Sequence, residues 1–164
     1  MKNWNLLDEA VYQSSWEFIF NVLHFQPYQN REKNISMPSP CNCFDISDYY
    51  DDSFSDKIYE DLENSALSWF NRIWNTNRML ALNWQHDCFS FTLDLPFEKN
   101  EFDEWLVPLF PNGDYIFYLT SDFKNGLFAD GINLSLSFFG REMVQAVEIK
   151  KAKILTKRIP CARG

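Results

Sequence analysis

The spacing of apolar residues switches once along this chain, near residue 79, and the switch limits the fold to helical segments followed by a run of strands. Before it, Val11, Ser15, Phe18, Ile19, Val22 and Leu23 share one helical face between Asp8 and Phe25, with Asp8 and Glu9 at a helix N-terminus. Residues 26–40 carry Pro27, Pro38 and Pro40 among Asn and Ser and read as a connecting loop, after which 41–46 alternates as a short strand. A second helix is predicted from about Asp56 to Trp74: Ile58, Leu62, Ala66, Trp69, Phe70 and Ile73 lie on one side, Asp56, Glu60, Asp61 and Glu63 on the other, and Ser55 caps it.

Past the switch the period is two. Residues 79–87 and 88–94 read as one or two strands with a kink or bulge near Gln85–Asp87. Residues 104–109 and 115–121 flank Phe110-Pro111-Asn112-Gly113-Asp114, whose Pro and Gly suit a type I turn with a glycine bulge, so a hairpin is expected there. Asn125-Gly126 and Asp130-Gly131 mark two further turns, and 132–139 alternates. Gly140 opens a helix over about 141–150, and 153–159 reads as an edge strand guarded by its lysines. This order predicts a single α+β domain over residues 1–164, with a mainly antiparallel sheet and helices packed on one face.

At 164 residues, 46% hydrophobic and 18% aromatic, the chain can bury a sizeable core, which excludes disordered and low-complexity readings. Its net charge of −8 is unevenly distributed. Residues 1–140 hold 8 basic and 21 acidic side chains, and residues 141–164 hold 7 basic and 2 acidic. An acidic body repels phosphate, so nucleic-acid binding is not expected of it. The tail's Lys150, Lys151, Lys153, Lys157 and Arg158 lack interleaved aromatics and read as helix-end and edge-strand charges. The N-terminus lacks the pattern of an export signal, and the apolar runs are too short to span a bilayer. The four cysteines, Cys41, Cys43, Cys88 and Cys161, are too sparse for a disulfide scaffold, so a cytoplasmic protein with free thiols and no membrane contact is expected.

Several motifs, in consistent order over nearly the whole chain, resemble a bacterial family of uncharacterised proteins, domain-of-unknown-function family 2716. They are Trp4 and Trp16, Pro38-Ser39-Pro40 leading to Asp45-Ile46-Ser47, Asn83-Trp84-Gln85-His86-Asp87-Cys88, Glu101-Phe102-Asp103-Glu104-Trp105, Pro111-Asn112-Gly113-Asp114-Tyr115 and Phe123-Lys124-Asn125-Gly126-Leu127-Phe128. Where the family continues to a Gly-His-Pro-Trp-like turn this chain has Ala129-Asp130-Gly131, so any role of that histidine is absent here. The resemblance implies a bacterial intracellular domain and carries no assigned activity.

Chemistry-bearing clusters are few. In an extended segment Trp84, His86 and Cys88 would share one face, so a pocket of Trp84, His86, Cys88, Trp105 and Tyr115 between sheet and helices is one reading, serving a small ligand or an enzyme. It lacks an orienting carboxylate and an oxyanion site, and a buried Cys is commonly structural. Cys41, Cys43, His86 and Cys88 form a zinc-type ligand set, but ligands one residue apart on a strand are spaced unlike ordinary zinc pairs, so no metal is expected. Glycine-rich phosphate loops and hydrolase motifs are missing, and no cofactor is expected.

The acidic segment is more informative. Between Asp45 and Glu63 lie eight carboxylates against one base, Lys57, interleaved with Tyr49, Tyr50 and Phe54. Acid steers a basic partner and tyrosines anchor it. The leading reading is a non-enzymatic immunity protein that neutralises a cognate, basic bacterial toxin, a nuclease being one candidate, through Asp48, Tyr49, Tyr50, Asp51 and Asp52 with Glu60 and Asp61 at the rim. The stretch from Glu98 to Trp105 would either extend that patch or decorate a loop.

Overall fold

A computed structural model describes residues 2–50, 56–73 and 78–162. The first helix, α1 (Glu9–Asn21), begins where expected, with the Asp8 side chain accepting from the Val11 N–H. Strand β2 (Cys41–Asp45) and helix α2 (Asp56–Arg72) also match their apolar spacing, while the cap proposed at Ser55 lies outside the described residues. Then follow β3 (Arg78–Asn83), β4 (Phe89–Thr92), β5 (Tyr115–Thr120), β6 (Gly126–Asp130), β7 (Ser135–Phe139), α3 (Arg141–Ile149) and β8 (Lys157–Ile159). A two-residue strand, β1 (Asn5–Leu6), was not legible in the sequence and pairs with the start of β4.

The strands form an eight-stranded antiparallel sheet in the order β1-β4-β3-β5-β6-β7-β2-β8, which with the three helices described makes one α+β domain. The expected kink at 85–87 is the β3–β4 turn, with Gln85 at φ 66. One difference concerns the helices, which flank both faces of the sheet instead of one. Side chains of β5 alternate: Ile116 and Tyr118 join Leu62, Ala66 and Phe70 of α2 and Val147 of α3, whereas Tyr115, Phe117 and Leu119 join Trp16 and Ile19 of α1 and Leu23 just beyond its end. The cause is visible in composition, since β5, β6 and β7 are buried throughout, and a sheet apolar on both faces requires a cover on each. Phe117 faces Phe128 in register, with the rings stacked at 4.6 Å. Each such side chain contributes about 1.5–3 kcal/mol of burial.

The second difference is the hairpin expected of 104–109 and 115–121. Only its second half is a strand, because both edges of β5 are taken by β3 and β6. Residues 104–109 instead cross the α2 face as a loop whose alternating Trp105, Val107 and Leu109 are buried in that core, and Trp105 keeps a single bridge to Lys99. The dipeptides Asn125-Gly126 and Asp130-Gly131 stand at the two ends of β6, so the turns lie outside the strand they bracket. Among the described residues no helix is long and apolar enough to cross a membrane.

Candidate functional site

The N-terminal half of α2 places Asp56, Glu60, Glu63 and Asn64 at helical spacing along one wall of an open groove of about 690 Å³. Lys99, Asp103 and Glu104 form the other wall, and Tyr49, Tyr50, Phe110 and Asn112 close one end. Five of the lining side chains are carboxylates and one is a lysine.

The 99–104 wall is held in shape by one side chain. Asn100 Oδ1 accepts the N–H groups of Phe102 and Glu104 at 2.8 and 3.1 Å, the Asn100 N–H donates to the Glu104 carbonyl, and Asp103 adopts φ 61. This turn displays Phe102, 72% exposed, beside two of the groove carboxylates. At the groove floor Glu63 is 5% exposed and accepts from Lys99 Nζ at 2.6 Å and from the Trp105 N–H at 3.1 Å. Burial raises its pKa above the ordinary carboxylate value, and these two donors offset part of the rise.

Tyr50 packs on Phe110 at 4.5 Å and donates its hydroxyl to the Pro111 carbonyl. Burial raises its pKa, as it does that of Tyr59, so both phenols stay protonated. The groove therefore presents fixed negative charge, aromatic rims and hydrogen-bonding carboxylates, an arrangement suited to receiving a cation rather than to nucleophilic chemistry.

Of the residues expected at a partner surface, Tyr49, Tyr50 and Glu60 line the groove. Asp48 is exposed in a short 3-10 turn outside it, and Asp61 uses its carboxylate to accept the Lys153 N–H at 2.8 Å. Asp51 and Asp52 lie outside the described residues. Glu63, Lys99, Asp103, Glu104 and the exposed Phe102 were not singled out as site residues. The signal for Lys99, Phe102, Asp103 and Glu104 was the acidic, aromatic stretch 98–105, which the fold brings against α2, while Glu63, read as one of the carboxylates on the polar side of α2, is buried against that stretch.

The alternative pocket is dispersed. Trp84 and Tyr115 do meet, with ring centroids at 5.9 Å, but Trp105 belongs to the core on the opposite face of the sheet. The turn at 84–86 breaks the extended geometry: the His86 ring pairs with Asp114 at 3.6 Å, and Cys88 Sγ donates to the Asn83 and His86 backbone carbonyls. Burial raises the Cys88 pKa, which keeps it a thiol. His86 and Cys88 lie in the β3–β4 turn, separated from the Cys41 and Cys43 of β2 by β5, β6 and β7 in the sheet order, and the described residues contain no cluster of His, Cys, Asp and Glu that could hold a metal ion.

Comparison with known proteins identifies the family. The family described as "Protein of unknown function (DUF2716)" matches residues 6–144, and the chain belongs to it. The chain is also similar to the uncharacterized protein YxiI of Bacillus subtilis (strain 168), at 34% identity over 153 residues, covering 90% of this chain and 94% of that protein. No solved structure matches it significantly.

Proposed function

We propose that this member of the family is a non-enzymatic protein-binding module of the cytoplasm, an immunity protein that neutralises a cognate bacterial toxin by laying its acidic, aromatic groove over a basic site. The observation that carries this reading is the convergence of two acidic segments far apart in sequence, 56–64 and 99–104, on one groove, with the exposed Phe102 next in the chain to the groove residue Asp103. A nuclease site is basic because it holds phosphate, and a partner that presents carboxylates around a hydrophobic anchor meets such a site in both charge and contact.

The basic C-terminal residues support a protein partner over nucleic acid. Lys157 pairs with Asp45, and Arg158 and Lys151 pair with Glu148, so these cations are already neutralised within the fold. The small-ligand or enzyme reading built on Trp84, His86, Cys88, Trp105 and Tyr115 draws no support from side chains divided between two faces of the sheet.

The test is co-expression with the C-terminal domain of any large secreted protein encoded beside the gene, scored as growth of the host. Protection by the chain that survives His86→Ala and is lost in the double variant Glu60→Lys, Asp103→Lys supports the reading. Absence of protection, or equal protection by the double variant, overturns it.

A further inference from the structure

Helix α1 covers only part of its face of the sheet. Trp16 and Ile19 reach the core, but the flank turned toward β3 and β4 carries the small Ala10 and Ser14, and the sheet beneath it carries the small Ser90. Side chains this short leave a second groove, of about 600 Å³, with Leu7, Val11, Leu80 and Phe123 as its apolar lining. That volume is the size of a small-molecule site. The groove lies on the face of the sheet opposite the acidic one, since its apolar residues belong to the α1 core and Tyr59 and Phe110 belong to the α2 core.

Its two ends differ in charge. The Leu7 N–H donates to the Cys88 carbonyl at 3.0 Å, which sets Asp8 beside the start of β4, whereas Arg78 pairs with Thr92 at the end of that strand. Four residues of strand, about 13 Å, separate the two positions. Among the described residues of the lining these are the only charged ones, and Asp8 already caps α1 by accepting the Val11 N–H at 2.9 Å. Ser90 stands opposite Leu80 and so lies on the diagonal from Arg78, within reach of a side chain that long. Ser90 is 9% exposed and lines the groove, and its hydroxyl has no hydrogen-bond partner among the described residues. A hydroxyl so placed is satisfied only by what enters the groove.

We propose that this groove binds a small organic monocarboxylate, with its carboxylate held by Arg78 and Ser90 and its apolar body lying along Leu80 and Val11 toward Leu7. The charges select the head. A guanidinium meets a carboxylate through two parallel hydrogen bonds, and the Ser90 hydroxyl supplies a further donor. One cation in a chain of net charge −8 suits a single negative charge and leaves the second charge of a phosphate unmet. At the far end Asp8 repels a second acid, which disfavours a dicarboxylate, and a wholly apolar ligand leaves Ser90 without an acceptor.

The experiment is titration of the full chain with octanoate, 3-phenylpropanoate and, as the uncharged control, 1-octanol, read by calorimetry and by amide chemical shifts. The expected result is saturable binding of at least one acid with a Kd of roughly 1 mM or tighter, weaker binding of the alcohol, and shifts centred on 5–14, 78–90 and 121–123. Arg78→Gln weakens the acid about tenfold and leaves the alcohol unchanged, Arg78→Lys keeps part of the affinity, and Ser90→Ala costs about threefold. Ser14→Trp, at an exposed helix position, fills the groove and abolishes binding, while Tyr12→Ala on the other flank of α1 leaves it intact. No saturable binding of either acid, equal affinity for octanoate and 1-octanol, shifts centred on 56–64 and 99–104, or unchanged affinity in Ser14→Trp overturns the proposal. Because the assay needs no protein partner, its outcome is independent of whether the acidic groove binds a toxin.

Discussion

Lys99 Nζ lies 2.6 Å from Glu63 Oε1, with the carboxylate 6% and the lysine 38% exposed. The carboxylate is therefore buried and the cation only partly so, and the two walls of the acidic groove are joined by that pair. Removing the cation leaves a buried charge held only by the Trp105 N–H. Lys99→Met is expected to cost about 2 kcal/mol, and Glu63→Gln, which leaves no uncompensated charge, about half as much. The pH dependence of the variant is a second readout. Loss of Lys99 raises the folded-state pKa of Glu63 further above its unfolded value, and a raised pKa gives stability that is present at low pH and lost as pH rises through the folded value. The deficit of Lys99→Met should thus shrink between pH 8 and pH 5 in chemical denaturation; a constant deficit would contradict the assignment.

Phe102 separates binding from stability. At 72% exposure its truncation removes almost no buried area, so Phe102→Ala should unfold within about 0.5 kcal/mol of the parent. If the rim of the groove is the partner surface, the same change weakens toxin binding by about tenfold or more, chiefly through faster dissociation. Glu60→Lys with Asp103→Lys should instead slow association and reduce its salt dependence. Titration calorimetry and stopped-flow mixing distinguish the two effects.

The β8 edge should loosen in acid. Burial pushes both carboxylates up, but Ser47 and Lys157 together outweigh it and hold Asp45 below the ordinary carboxylate value, and Arg158 and Lys151 do the same for Glu148. A depressed folded-state pKa gives stability that is complete above the unfolded value, about 4, and lost as pH falls through the folded value. Amide protection factors in 157–159 should therefore drop below about pH 4 while those of β5 persist. Simultaneous loss in both strands would refute this local opening.

Gly140 is the position where the backbone leaves no choice. Its φ is +96, and a Cβ there would lie 2.2 Å from Asn125 Oδ1, the atom that accepts the Met143 N–H at the start of α3. Gly140→Ala should cost about 2 kcal/mol or more, from left-handed strain together with displacement of Asn125. Thermal unfolding measures it, and a neutral result would show that the turn can relax.

Much of the secondary structure was legible because it depends on local order. Asp8 caps α1 from a position recognisable by its acid, and the 3.6-residue spacing of Leu62, Ala66, Trp69 and Phe70 needs no partner to be seen. Trp105, Val107 and Leu109 show the limit. Their alternation signals burial on one side, but whether that side belongs to a strand or to a loop over a core depends on which edges of β5 remain open, and β3 and β6 had already taken both.

By itself the sequence determined an acidic chain with helices before a sheet, and it marked 45–63 as the place where charge and aromatics concentrate, because periodicity and composition are properties of neighbours along the chain. Tertiary structure alone decided that Asp56, Glu60 and Glu63 line one groove with Lys99, Asp103 and Glu104, and that Trp105 and Cys88 lie on opposite faces of the sheet. Each of these depends on strand order and register, which are settled by burial of both faces of the sheet at once and are carried by no single segment.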